Sequence, residues 1–133
     1  MSKENKISCL LVQAGCRCSR VTVDVSDYRN MAKAIECDYI ETATRSFKGE
    51  PYLIVCDEEG KLKGGNKTTI VTCDGWGRAC ETFVGDCLVM RVGFKSLREC
   101  DYRRIIATKT PVTGNKIGDS CVLLCSVNGN ILY

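Results

Sequence analysis

Cysteine is the residue type that offers the most chemistry in this sequence, with eleven copies among 133 residues. Thiols can form disulfides, bind soft metal ions or act as nucleophiles once they are deprotonated. Histidine is absent from the sequence, which excludes mechanisms that need an imidazole as base, acid or metal ligand. A thiol enzyme would need another base, and a metal site would depend on thiolates.

The setting of the cysteines favours reduced thiols over a disulfide scaffold. An odd number leaves at least one thiol unpaired. Five of them lie in or beside apolar runs, where a free cysteine behaves as a small hydrophobic side chain: Cys9, Cys56, Cys87, Cys121 and Cys125. The first apolar stretch, 7–12, is shorter than the core of a secretion signal. We therefore predict a cytoplasmic protein in which most thiols are reduced and free of metal.

The cysteine spacing does not match that of structural zinc sites, which pair cysteines across two to four residues. No Cys-x-x-Cys is present, and Cys121 and Cys125, three residues apart, belong to an apolar run typical of a strand. Three cysteines recur every seven residues, which is also wider than the spacing of zinc-site pairs: Cys73, Cys80 and Cys87. We predict no metal site and no cofactor. Cys16 and Cys18, which flank an arginine, are the best candidates for reactive thiols, so a thiol-based redox or metal-binding protein remains an alternative.

Positive charge is concentrated in one stretch. Residues 91–116 carry seven lysines and arginines and two acidic residues, a net charge of +5, whereas the whole chain is only +3. Such a stretch suits an acidic protein, a nucleotide or nucleic acid, with Arg98, Arg103 and Arg104 as candidate binding residues. The alternative is a solvated helix face. We expect no specific binding to duplex DNA, because no recognisable reading helix is present.

Two glycine-containing loops supply the other candidate binding residues. The only tryptophan, Trp76, lies between two glycines and close to Arg78, and together they could stack on a base or contact a partner. The alternative is a tryptophan folded back over the edge of the core. Asn66 follows two glycines among lysines and could help to hold a phosphate, although the spacing is not that of a Walker loop and a solvated loop is the alternative.

The secondary structure that must position these residues consists of short elements. Alternation and apolar runs predict strands at 7–14, 20–25, 39–44, 52–56, 68–73, 84–92 and 121–127. Ser26 or Asp27 caps a helix that ends near residue 35, and Ser96 caps a helix over 97–106. A hairpin signal at 128–129 would fold the last residues back. These elements predict an α+β fold of about seven short strands, in a mixed, mainly antiparallel sheet with two short helices.

The order of several motifs resembles a known family. A Tyr-Glu strand at 39–41, the acidic turn 58–62 followed by Asn66, a glycine-led apolar strand at 85–89 and a Ser-Leu pair at 96–97 occur in that order. The pattern resembles the phage and bacterial family called domain of unknown function 3846, over about residues 7–106. Cysteine at positions such as Cys56 departs from its usual pattern. We predict a single domain, 1–133, in which 107–133 form a C-terminal strand extension.

The resemblance implies a phage or mobile-element setting and cytoplasmic expression, but it names no activity and no site. We predict a small, non-enzymatic accessory protein that binds a host macromolecule and acts as a counter-defence inhibitor. A sponge that sequesters a nucleotide messenger is the second hypothesis. The expected partner is a host protein or a small nucleotide, without a membrane segment, and homo-oligomerisation is left open. Reversing Arg103 and Arg104 to glutamate should weaken that partner and leave the fold intact.

Overall fold

The computed structural model describes residues 5–62, 67–113 and 119–127. These ranges contain two α-helices, α1 (Tyr28–Ala34) and α2 (Glu99–Ile106), and a 3-10 turn at Ala14–Cys16. They also contain nine strands: β1 (Lys6–Gln13), β2 (Arg17–Asp24), β3 (Ile40–Phe47), β4 (Glu50–Asp57), β5 (Thr68–Cys73), β6 (Ala79–Val84), β7 (Cys87–Arg91), β8 (Lys109–Thr113) and β9 (Asp119–Ser126).

All nine strands belong to one sheet. Its order is β2-β1-β7-β4-β3-β9-β5-β6, and β8 pairs with β9 outside this path. Every pairing is antiparallel except that of β5 with β9. The predicted α+β class, with two helices and a mainly antiparallel mixed sheet, is therefore confirmed. The two additional strands are β6 and β8. Pro111 lies in β8, which within the described residues pairs on one side only, and such a strand tolerates the missing N–H.

The central strands of the sheet are buried on both faces, with one helix on each face. Along β4, Tyr52, Ile54 and Cys56 pack in the same cluster as Tyr102 and Ile105 of α2. The alternate residues Leu53 and Val55 pack in a second cluster with Met31 of α1 and with Ile35, which directly follows that helix. A strand covered on both faces needs a continuous apolar run, and β4 lies between β7 and β3 inside the sheet. The interior position of β4 in the sheet therefore agrees with its continuous apolar run.

One of the two predicted helix caps is confirmed. Asp27 caps α1, because its carboxylate accepts the backbone N–H of Arg29 at 3.0 Å. The predicted Ser96 cap of the second helix is wrong. The Ser96 hydroxyl accepts the backbone N–H of Ser8 at 2.9 Å, and α2 begins only at Glu99. Residues 96–97 are extended against β1 instead, since Leu97 is buried there and its N–H donates to the Ser8 carbonyl.

The C-terminal strands are integral to the sheet. β9 lies between β3 and β5, with four residue pairs to β5 and a single pair, Ser46 with Ser126, to β3. Within the described ranges, the β5–β6 hairpin has no strand partner in the rest of the sheet except β9. The predicted hairpin at 128–129 and the last residues lie outside the described residues. Among the helices that are described, none has the length and apolar character needed to cross a membrane.

Candidate functional site

A buried carboxylate at the start of α2 organises the candidate site. Asp101 is 1% exposed, and its Oδ1 accepts the Tyr52 hydroxyl at 2.6 Å. Its Oδ2 accepts the backbone N–H and the Nε of Arg98, at 2.7 and 2.9 Å. Arg104 donates to Tyr52 Oη at 2.6 Å and to Asp101 Oδ1 at 3.1 Å. This network joins the second helix to β4, 49 positions earlier in the chain.

The same network sets the charge of its members. Burial by itself raises the pKa of Asp101, but the hydrogen bonds from Arg98 and Tyr52 outweigh it, so that the pKa lies well below its ordinary value. Burial, together with the Asp101 carboxylate, raises the pKa of Tyr52 to about 12. At neutral pH the carboxylate is therefore ionised and the phenol is protonated, which is the state that this hydrogen-bond pattern requires.

A cleft of about 220 Å³ opens beside this network, between the first residues of β4, the end of β7 and the second helix. We call it the α2 cleft. Its charged lining residues are Arg91, Lys95, Arg98, Glu50 and Asp101. Two of the cations are held in place, because Arg91 Nε donates to the Ser96 carbonyl at 2.6 Å and Arg98 is bound to Asp101. With three cations against two carboxylates, of which Asp101 is buried, the lining of the cleft carries a net positive charge.

A tight turn forms one rim of the α2 cleft. The backbones of Arg91 and Lys95 exchange two hydrogen bonds, of 3.0 and 3.2 Å. Between them Gly93 has a φ of 88° and Phe94 a φ of 58°. A positive φ is costly for phenylalanine and persists only where the surroundings enforce it. The turn exposes Val92 and Phe94, at 46% and 41%, so the rim combines apolar surface with cations.

The structure brings together only part of the predicted basic site. Arg98 lines the α2 cleft, whereas Arg103 is exposed and does not line it. Arg104 is not the exposed cation that the sequence predicted, because its side chain is only 28% exposed and binds Tyr52 and Asp101. The premise of an exposed side chain is therefore wrong for Arg104, and we expect its reversal to glutamate to destabilise the fold because it would place a second carboxylate against Asp101.

Sequence reasoning missed four members of the site. Tyr52 was assigned only to a strand, and Asp101 counted only as a negative charge in the basic stretch. Arg91 and Lys95 were counted as cations but not singled out. Their spacing of four residues, across a glycine, is the one local signal that both could lie at the same turn.

Trp76 projects into solvent from the β5–β6 hairpin and is 83% exposed. The alternative in which it folds back over the core is therefore wrong. The turn is well ordered by Asp74, whose Oδ1 accepts the backbone N–H groups of Trp76 and Arg78 at 2.8 and 2.9 Å. Trp76 and Arg78 do not line the α2 cleft, so they form a separate surface. Asn66, the remaining predicted residue, lies outside the described residues.

An acidic cavity lies at the opposite end of β4. It has a volume of about 420 Å³, and four acidic residues against two basic ones line it: Glu41, Asp57, Glu58, Glu81, Arg45 and Lys61. Arg45 and Glu81 form an ion pair of 2.7 Å. Tyr52 lines the α2 cleft and Cys56 the acidic cavity, and four residues along a strand separate them by about 13 Å. Among the side chains described, no group of three or more carboxylates or thiols is placed to hold a metal ion.

Fold and site together define an α+β protein with a buried Tyr-Asp-Arg network and a basic cleft at one end of its central strand. The family model called "domain of unknown function" 3846 matches residues 7–108. The chain belongs to that family, and the predicted resemblance is confirmed. No curated protein and no solved structure matches the chain significantly. The family match ends before Lys109, so β8 and β9 lie beyond it.

Proposed function

We propose that this protein is a non-enzymatic, cytoplasmic accessory protein of a phage or mobile element, which binds an acidic surface of a host macromolecule through the α2 cleft. The observation that carries the proposal is the grouping of Arg91, Lys95 and Arg98 around one cleft. Because the family resemblance implies a phage or mobile-element setting, we extend this proposal to a counter-defence role, in which the protein inhibits a host defence protein.

The geometry of Arg98 suits recognition of an anion. Asp101 engages the Nε and Nη2 atoms of Arg98, so the edge of the guanidinium that carries Nη1 faces away from the carboxylate. The side chain is 59% exposed, which leaves this edge accessible. An arginine whose rotamer is already fixed loses less conformational entropy when it binds a carboxylate or phosphate.

The size of the cleft favours a macromolecule over a whole small ligand. Typical small-molecule pockets have volumes of about 300–1,000 Å³ and bury most of their ligand, whereas the α2 cleft measures about 220 Å³. That volume accommodates a single carboxylate side chain or phosphate group that belongs to a larger surface. The acidic cavity at the other end of β4 adds a charge asymmetry, which would orient an approaching acidic partner towards the α2 cleft.

Reversing the charge of Lys95 is the most direct test. Lys95→Glu should weaken binding of a fluorescein-labelled polyglutamate peptide by about five- to tenfold and flatten its dependence on salt, since the charge is on the rim of the cleft. Lys33→Glu, an equal charge change on α1 across the sheet, is the matched control. Anisotropy titrations at low and high salt measure both. Equal affinity of the two variants would contradict the role of the cleft.

A second candidate function, sequestration of a nucleotide, is favoured by the exposed indole of Trp76. Stacking of a base on this ring should quench the tryptophan fluorescence of the protein. The signal can be assigned to Trp76 because the chain has one tryptophan. Trp76→Ala should then weaken nucleotide binding by about 1–3 kcal/mol. Tyr39→Ala, which removes an aromatic side chain that is 58% exposed and lies outside the turn, should leave that binding unaltered. Titration with a cyclic dinucleotide and with single-stranded DNA, followed by the emission, tests this reading, and an unchanged spectrum would eliminate it.

The non-enzymatic part of the proposal has its own test. The cyclic dinucleotide from the same titration is recovered and analysed by chromatography after prolonged incubation. We expect it to be intact. Reproducible hydrolysis that a single point substitution abolishes would overturn the claim of binding without turnover.

A further inference from the structure

Three cysteines from different elements meet where the β1–β2 connection contacts β9. Cys16, at the end of the 3-10 turn, is buried and belongs to the larger core cluster, and Cys18 of β2 and Cys121 of β9 pack against that cluster. Burial raises the pKa of Cys16 to about 12, and the neighbouring Cys121 thiol adds to this rise. Lys109, at the start of β8, is near Cys16 and Cys18 and opposes that shift.

We propose that Cys16 and Cys121 form a reversible disulfide in the presence of a peroxide, which links the family domain covalently to its C-terminal extension. Cys16 lies within the family match, whereas Cys121 lies beyond it. The bond would join the β1–β2 connection to β9, whose ladder to β3 consists of a single residue pair. It would thus secure β9, and the β5–β6 hairpin that pairs with it, to the first half of the chain.

The proposed chemistry consumes one hydrogen peroxide for each disulfide. The sulfur of Cys121, which is more exposed than Cys16, attacks a peroxide oxygen as its thiolate. The S–O bond forms, the O–O bond breaks, and the released hydroxide takes up a proton to become water. The thiol of Cys16 then attacks the sulfenic sulfur and loses its proton. The S–S bond forms, the S–O bond breaks and a second water leaves, so that two electrons pass from two thiols to the peroxide.

The position of Cys16 supports this pairing. Gly15 and Cys16 have φ values of 75° and 61°, and a positive φ is uncommon for a residue with a side chain. Such a conformation persists because the turn packs against β9. The same packing keeps Cys16 close to Cys121. The other fully buried thiols lie inside strands that form the core: Cys9, Cys56, Cys87 and Cys125.

The test uses the full chain, reduced and handled without oxygen. Thiol titration of the denatured, untreated protein should find eleven reactive groups, in line with the expected reduced state. Elemental analysis of the same sample should find no bound metal. After treatment with one equivalent of hydrogen peroxide, eleven less two, or nine, should remain. Peptide mapping should find Cys16 joined to Cys121, and the thermal midpoint should rise by about 5 °C or more because 104 residues lie between the linked positions. Dithiothreitol should reverse both changes.

Variants decide which thiols take part. Cys16→Ser and Cys121→Ser should each abolish the loss of thiols and the rise in the thermal midpoint. Cys100→Ser, a change at an exposed cysteine in α2, should behave like the unmodified protein. If one of the two variants does not fold, the other and the peptide map still test the pairing. A link that joins Cys16 to Cys18, Cys18 to Cys121 or Cys73 to Cys80 instead, or eleven free thiols after oxidation, would overturn the proposal.

Discussion

Asp101→Ala is expected to lower the free energy of unfolding by about 2–4 kcal/mol. The substitution removes an acceptor that serves the Tyr52 hydroxyl, the Arg98 backbone N–H and two guanidinium groups. The tyrosine is buried, so its hydroxyl would lose its ionised acceptor in a place that solvent does not reach. The arginines are partly exposed and can regain water, which keeps the loss below that of a fully buried ion pair.

Glu99→Ala is the matched control for this prediction. Glu99 is also in the first turn of α2 and also pairs with an arginine, Arg20, at 2.8 Å. Both side chains of that pair are more than half exposed, at 54% and 56%, and exposed pairs contribute about 0–1 kcal/mol. Urea denaturation of both variants gives the comparison. Equal losses would show that the Asp101 network contributes no more than a surface ion pair.

The Asp101 network should also make the free energy of unfolding depend on pH. The pKa of Asp101 is depressed in the folded protein, so its contribution is present in full above the ordinary carboxyl pKa of about 4. As the pH falls below that value, the unfolded chain takes up a proton that the folded chain does not. The free energy of unfolding should therefore fall on acidification, and more steeply in the unmodified protein than in Asp101→Ala. Parallel curves from pH 6 to pH 3 would contradict this assignment.

The second large effect is expected from β9. Leu123 is fully buried in the core cluster that also contains Ile54 and Ile105. Leu123→Ala should lower the free energy of unfolding by about 2–5 kcal/mol, because it leaves a cavity between packed neighbours. Leu62→Ala, the same change at a leucine that is 84% exposed, should cost less than about 0.5 kcal/mol.

Removal of the whole strand should have a still larger effect. A chain that ends at Thr113 lacks β9, so the β5–β6 hairpin loses its described strand partner and the core loses Val122, Leu123 and Cys125. We expect this chain to show no cooperative unfolding transition, measured by circular dichroism during heating. A cooperative transition at the original midpoint would show that the extension is dispensable and that the family-matched residues fold without it.

The α+β class and the interior position of β4 could be predicted from the sequence because they depend on patterns within single segments, and the family assignment because it depends on the order of such motifs along the chain. Apolar runs, alternation and the Asp27 cap record whether a residue is buried or bound to a neighbour a few positions away. These signals survive in a single sequence because each element must bury its own apolar face. They also account for the predicted helix near residues 97–106, although they do not identify Asp101 as the residue that binds its first turn.

The site depends on contacts between distant segments, which only the tertiary structure decides. Tyr52 and Asp101 are hydrogen-bonded across 49 positions, and Cys16 and Cys121 pack at one core cluster although more than twice as many positions separate them. Whether Arg104 faces solvent or a buried phenol, and whether Trp76 folds back or projects, depends on what the fold places beside it. The sequence by itself determined seven of the nine described strands, the presence of both helices and the buried faces of these elements, since they follow from local periodicity. The order of strands in the sheet determined the α2 cleft and the thiol pair, because it sets which charged and nucleophilic side chains become neighbours.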